Sequence, residues 1–280
     1  MNKTLIEWVK NPDGTQGMTW NPITGCLNGC PYCYARKLAN GRLKSGYLAN
    51  SNVCDQSLSA NDDPFYPRFW EDRVRELDPT WKSKHFTVGG ASKVQPKGIF
   101  VCDMSDLFGI GIPEEWTRRV LDVIKSNPQH RFYLLTKQPQ NLIKFSPFPP
   151  NCYVGVTATN AKMFKQAIEG LSDIKAKIKY VSLEPMLERI YHELYICQDM
   201  VDELVTYVDW VIIGAQTKPY KPPKIEWVSE IVRACDKAGV PVFLKDNLKP
   251  LLGRDYSKGV EGYAPQWAYT NHKLRQETPK

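Results

Sequence analysis

The sequence predicts an α/β fold, a partial (β/α) TIM-like barrel of about six to seven parallel strands with an insertion between the first two. Three observations predict it. Short apolar runs with β-branched and aromatic bias recur along the chain, as strands buried on both faces require. Amphipathic stretches of helical period separate them. Their repeated alternation implies right-handed crossovers into a parallel sheet, with a doubly wound sheet as the alternative arrangement.

A first strand leads into "MTWNPITG" (18–25). The segment from about 50 to 97 then breaks the rhythm. In it "FYPRFWEDRVREL" (65–77) reads as a helix carrying aromatic residues, and "VGGASKVQPKG" (88–98) as a loop; the whole reads as an insertion packed on the barrel. Later strands are "GIFVCDM" (98–104), "RFYLLT" (131–136), "CYVGVT" (152–157), "IKYVSLE" (178–184), "DWVIIGA" (209–215) and "VPVFLK" (240–245). Between them, "IPEEWTRRVLDVIKSN" (112–127) has Pro near its start and acids in its first turn. "NAKMFKQAIEGL" (160–171) reads as a second helix, and "IEWVSEIVRACDKAG" (225–239) as a third ending on a C-cap glycine. Residues 1–248 form one domain on this reading, followed by a polar, irregular extension, 249–280, whose last residues are loose.

Composition narrows the class. Apolar residues at 42% and charged residues at 24% describe a globular protein able to bury a core without disulfides. The start, "MNKTLIEWVKNPDG", lacks the apolar centre of a signal peptide, and no apolar run approaches the roughly 18 residues that span a bilayer. The expectation is a cytoplasmic protein with no membrane partner, where thiols stay reduced and a tight cysteine cluster points to metal or catalysis. A net charge of +7 is compatible with a nucleic-acid partner and equally with a simple excess of Lys.

Cys26, Cys30 and Cys33 lie in "NPITGCLNGCPYCYARK" with the spacing C-x3-C-x2-C. Gly25, Gly29 and Pro31 favour a turn that wraps the three thiols around one centre. A structural zinc would need a distant fourth ligand, Cys54 or a histidine. A cubane iron–sulfur cluster held by three cysteines would keep one iron open, as a catalytic metal does. Cys54, Cys152, Cys197 and Cys235 show no ligand spacing, Cys102 reads as a buried inert thiol, and no hydrolytic motif is present.

With Tyr32 before its last cysteine, the motif resembles the signature of the radical S-adenosylmethionine superfamily. The resemblance extends over "IEW" (6–8), "TWNPITGC" (19–26), "SDLFG" (105–109), "LLTKQP" (134–139), "SLEP" (182–185), "DWVIIG" (209–214) and "FLK" (243–245). These look like landmarks of a phage- and prophage-associated subgroup distantly similar to spore photoproduct lyase. The chain departs from the subgroup at Ala215 and Gln216, where a second glycine and an acid are usual.

The resemblance implies a [4Fe-4S] cluster on Cys26, Cys30 and Cys33, and S-adenosylmethionine on the open iron. It also implies an external electron donor and a radical that takes hydrogen from a substrate. Asp103, Ser105 and Asp106 follow a strand where relatives bind the methionine ammonium; otherwise they cap the turn. Tyr32, Gly214 and Ala215 would face the adenine, and Thr157, like Thr159, the ribose or carboxylate; packing and helix capping are the alternatives. Glu184 and Lys137, charges at buried strand ends, would face cofactor or substrate, or pair with each other or Lys245. The substrate is a nucleobase or nucleic acid on the first reading, a peptide or small metabolite on the second. A non-enzymatic zinc or nucleic-acid module is the third. Aromatic residues such as Phe65, Trp70, Tyr263 and Trp267 motivate the first, because rings stack exposed bases.

Overall fold

The computed structural model describes residues 1–55, 57–78, 95–190, 198–252, 265–271 and 273–279. Most of the expected loop "VGGASKVQPKG", together with Cys197 and Tyr263, lies outside the described residues. The architecture is mixed α/β. Eight strands form one largely parallel sheet: β1 (Asn2–Lys3), β2 (Met18–Trp20), β3 (Gly98–Val101), β4 (Arg131–Thr136), β5 (Cys152–Thr157), β6 (Ile178–Leu183), β7 (Trp210–Ile213) and β8 (Val242–Leu244). Their order in the sheet is their order in the chain, which is compatible with a partial barrel and lacks the reversal that defines a doubly wound sheet. No helix of the described residues is long and apolar enough to cross a membrane.

The chain divides into two compact units, the first holding Met1–Val154 with residues 175–177 and the second the remainder; the division falls within β5. In the first unit β1 runs antiparallel to β2, an edge strand that the sequence reading had not anticipated. β2 pairs parallel with β3 and β3 with β4. Buried Trp8, Trp20, Phe100 and Phe132 fill its core, each large side chain contributing roughly 1.5–3 kcal/mol by leaving water. Two helices matter here: α1 (Tyr34–Asn40), discussed below, and α2 (Glu114–Lys125). The latter has acids in its first turn, Lys125 in its last, and buries Val120, Leu121, Val123 and Ile124.

The helix expected over 65–77 is confined to Glu71–Arg75. Pro67 disfavours helix at the residue before it and lacks a donor. Arg68–Phe69 instead pairs antiparallel with Ile23–Thr24, so this segment braces the chain entering the cysteines.

In the second unit β6, β7 and β8 pair in parallel. The side chain of Asn160 caps α3 (Ala161–Ser172) through Met163 N at 2.9 Å. A helix the sequence reading lacked, α4 (Gln198–Tyr207), precedes β7. α5 (Ile225–Ala238) ends on left-handed Gly239, as expected. The end of the chain corrects the expectation of loose residues. Leu244 N donates to Arg275 O at 2.8 Å and Glu277 N to Val242 O at 3.0 Å, so residues 275–277 cover the open edge of β8.

Candidate active site

The cysteine loop leaves the C-terminal end of β2, and each step of its path is bonded. Asn21 accepts from Met104 N at 3.0 Å and donates to Asp103 Oδ1 at 2.5 Å. Gly25 has φ +87°, and a Cβ there would collide with the Tyr66 carbonyl, so the position requires glycine. Ser105 Oγ donates to Gly25 O at 2.5 Å, and Cys26 N donates to Phe65 O at 3.0 Å. A second left-handed glycine, Gly29 at φ +68°, turns the chain before Cys30.

Cys33 then caps α1, its Sγ accepting from Arg36 N at 3.3 Å, while Cys26 Sγ accepts from Asn28 N at 3.4 Å. Arg36 reaches back to donate to Cys26 O at 3.1 Å and lies 4.9 Å over the Phe65 ring. Ala35, Ala39, Tyr47, Phe65 and Met104 form the apolar floor against which Cys26 and Cys33 pack.

Asp106 is the brace of the site. It is buried, and its Oδ2 accepts from Asn28 Nδ2 and from Lys137 N, both at 2.9 Å, while Oδ1 accepts from Phe108 N at 3.1 Å. Gln138 closes the circuit by donating to Asn28 Oδ1 at 2.9 Å. The loop between Cys26 and Cys30 is thereby tied to the end of β4. Of the three polar residues after β3, Ser105 and Asp106 thus make internal bonds. Asp103 is held by the side chains of Asn21 and Tyr34; Tyr34 Oη donates to its main-chain carbonyl at 2.7 Å. Tyr32 is half-buried on the loop, and Lys137 is half-buried at the end of β4.

The three thiols are half-buried and free. Burial pushes Cys26 up to about 12, with the charges of Asp106, Cys30 and Cys33 acting in the same direction and the Asn28 N–H opposing. Among the described residues no three His, Cys, Asp or Glu side chains are set to hold a single metal ion. Cys102, Cys152 and Cys235 are buried thiols raised chiefly by burial; Cys102 also sits at φ +61°.

The remaining candidates belong to the second unit, at the C-terminal ends of its strands. Glu184 takes Lys245 as its ion-pair partner, both side chains largely buried. Gly214 makes room for the pair, since a Cβ there would lie 3.0 Å from Lys245 Cδ and 3.1 Å from Glu184 Cγ. Ala215 exchanges two main-chain hydrogen bonds with the Asn247 side-chain amide, at 3.0 and 2.9 Å. Thr157 is buried at the end of β5; the Thr159 hydroxyl meets Met163 Sδ at 3.2 Å. Asn21, Asn28, Tyr34, Arg36 and Gln138 escaped the sequence reading. Only their closeness to the cysteines or to "LLTKQP" could have signalled them.

A family model described as a protein of unknown function (DUF5131) matches residues 3–250. No curated protein matches the chain by sequence. Among solved structures, the chain is similar to a cysteine-to-alanine mutant of spore photoproduct lyase with dinucleoside spore photoproduct. The TM-score is 0.48 at 11% identity, covering 85% of this chain and 78% of that one. A cysteine-to-serine mutant of the same lyase gives a TM-score of 0.46 at 12% identity, covering 81% and 76%.

Proposed function

This chain belongs to the DUF5131 family of proteins of unknown function, and we propose that it is a radical S-adenosylmethionine enzyme built on a partial (β/α) barrel. One observation carries the reading. Three reduced, half-buried cysteines, spaced C-x3-C-x2-C with no fourth on the loop, sit at the C-terminal end of the first parallel strand. In this reading Cys26, Cys30 and Cys33 hold a [4Fe-4S] cluster, which supplies the reductive cleavage of S-adenosylmethionine and the radical that follows. Ser105 and Asp106 hold the loop in shape, and Asp103 is the carboxylate for the methionine ammonium. Tyr32, Thr157, Glu184, Gly214 and Ala215 keep the cofactor-facing roles that the resemblance implies, and Lys137 faces substrate. The reading takes the protein to be cytoplasmic, where thiols stay reduced.

The test is anaerobic reconstitution, assay of iron and sulfide, then dithionite with S-adenosylmethionine. The expected result is 5′-deoxyadenosine from the wild type and none from Cys30→Ala. Zinc without iron or sulfide, and no cleavage, would overturn the reading in favour of a structural knuckle.

For the substrate, a nucleobase in nucleic acid is favoured by a hairpin after β7. Gln216–Thr217 pairs with Tyr220–Lys221, and "TKPYKPPK" (217–224) carries three lysines and no acid. Tyr220 is 45% exposed, and its hydroxyl donates to Asn247 O at 3.2 Å, which fixes the ring's place. Cations for phosphates beside a fixed ring for a base are what single-stranded binding uses. Oligonucleotide binding is expected to weaken in Tyr220→Ala, and in Lys221→Gln to weaken with a salt slope lowered by about 1. No effect of either would favour a peptide or small metabolite.

A further inference from the structure

Two arginines share one carboxylate beside the cysteine loop. Arg36 pairs with Asp63 Oδ2 through Nη1 at 3.5 Å, and its Nη2 donates to Cys26 O at 3.1 Å. Its main-chain N donates to Cys33 Sγ at 3.3 Å. Arg68 lies opposite Thr24 in the strand register, two residues before Cys26, and is fully buried. Its Nη2 donates to the carbonyls of Asn61 and Asp63, both at 3.0 Å, while Nε and Nη1 have no hydrogen-bond partner. Among the described residues Arg68 forms no ion pair, and the charges of Asp63 and Cys54 act on it only through space. The other oxygen of Asp63, Oδ1, accepts from Phe65 N at 2.7 Å. Two fixed cations against one carboxylate leave this flank of the loop with a positive excess. Asp106 also acts on Cys26, with the opposite sign. A buried guanidinium with bare N–H groups is costly to the fold, so its retention beside the cysteines calls for a reason.

We infer that Arg36, Asp63 and Arg68 together set the reduction potential of the centre held by Cys26, Cys30 and Cys33, with Arg36 as the positioning cation and Asp63 as its counterweight. The inference rests on the radical reading of the site. Three thiolates on a doubly positive core leave the oxidised centre singly negative, and one electron makes it doubly negative. Cations nearby therefore favour the reduced state, and a carboxylate nearby favours the oxidised one. Arg36 bonds the cysteine loop itself, whereas among the described residues the Asp63 carboxylate reaches that loop only through Arg36. The nearer charge is the positive one. A tie that served shape alone would respond to the loss of either partner in the same way. A tie that works through charge responds with opposite signs.

The experiment titrates anaerobically reconstituted protein with dithionite in the presence of redox mediators and reads the reduced centre by electron paramagnetic resonance. Each electron comes from the SO2 radical anion of dithionite, which is oxidised to SO2 and trapped by water as bisulfite. The midpoint reports filled sites only, so partial loss of the centre does not imitate a shift. Arg36→Gln is expected to lower the ratio of reduced to oxidised centre at a fixed potential about three- to tenfold, and Asp63→Asn to raise it by a similar factor. Arg36→Lys, which keeps the charge, should stay within about twofold of wild type, and the double variant Arg36→Gln, Asp63→Asn should fall between the two singles. High salt should shrink each shift. Shifts of the same sign in Arg36→Gln and Asp63→Asn, or no shift in either, overturn the inference and leave the pair a role in shape alone. If Arg36→Gln binds no iron, the other two variants decide: a rise in Asp63→Asn with Arg36→Lys near wild type supports the inference, and no rise in Asp63→Asn overturns it. A wild type that takes up zinc but no iron or sulfide overturns the radical reading itself, and the inference with it.

Discussion

Asn28 and Asp106, 78 residues apart in sequence, are joined by a 2.9 Å hydrogen bond between a side-chain amide in the cysteine loop and a buried carboxylate after β3. The same carboxylate takes Lys137 N and Phe108 N, so one side chain satisfies three donors. Replacing it with Ala strands buried N–H groups, each costing about 1–3 kcal/mol. Asp106→Ala is expected to lower stability in urea unfolding by about 2–4 kcal/mol. Asn28→Ala, which frees the loop but leaves the main-chain donors paired, should cost less and instead reduce iron bound after reconstitution.

The two left-handed glycines of the loop separate strain from crowding. Gly29 at φ +68° has open space where a Cβ would go, so Gly29→Ala is expected to cost only the backbone penalty of about 1–2 kcal/mol. Gly25 has the same backbone penalty, and its Cβ would also meet the Phe65 and Tyr66 carbonyls. Gly25→Ala should therefore cost clearly more, with overpacking adding about 1–3 kcal/mol. Equal melting temperatures for the two variants would contradict this account.

The six strands from Gly98 onward were legible because each is an apolar run buried on both faces, a signal that needs no knowledge of neighbours. β4 and β5 match their runs end to end, whereas β3 stops at Val101 because the chain turns at Cys102, with φ +61°. The three helices with capping signals were legible for the same local reason. What escaped depends on distant partners. Arg68–Phe69 is a strand because Ile23–Thr24 lies beside it, and residues 275–277 are ordered because β8 has an open edge. The cysteines announced themselves by spacing. The brace of Asp106, Asn28 and Gln138 did not, since its members come from three places in the chain that only the fold brings together.

Asp103 makes stability depend on pH in a defined sense. Burial raises its carboxyl above the ordinary 3.8, against the lowering hydrogen bonds from Asn21 and Tyr34. The folded state therefore holds the proton more tightly than the unfolded one. Its stabilising contribution is complete below about pH 3.8 and is lost as pH rises through the folded-state value. Asp103→Asn is neutral at every pH and can still accept from Asn21. Its stability relative to wild type should rise between pH 3.5 and 7, measured by urea unfolding at both values. A constant difference would show that the carboxylate is not penalised by burial.

Glu184 and Lys245 give the sharpest test in the second unit. Their side chains are 24% and 12% exposed, and Gly214 lies against both. Removing one partner leaves the other charge poorly solvated, so Lys245→Met is expected to cost about 2–3 kcal/mol, below the 3–5 of a fully buried pair. Glu184→Gln alone should cost a similar amount, because Lys245 then keeps its charge without a counterion. The double variant should recover much of the loss, since the two charges leave together, and a double-mutant cycle would return a coupling of about 1–3 kcal/mol. Gly214→Ala offers an independent check, because its Cβ would press on the pair without changing charge. If it destabilises the wild type but not the double variant, the glycine is there to seat Glu184 against Lys245. If it destabilises both equally, the backbone at Gly214 serves the strand end and not the ion pair.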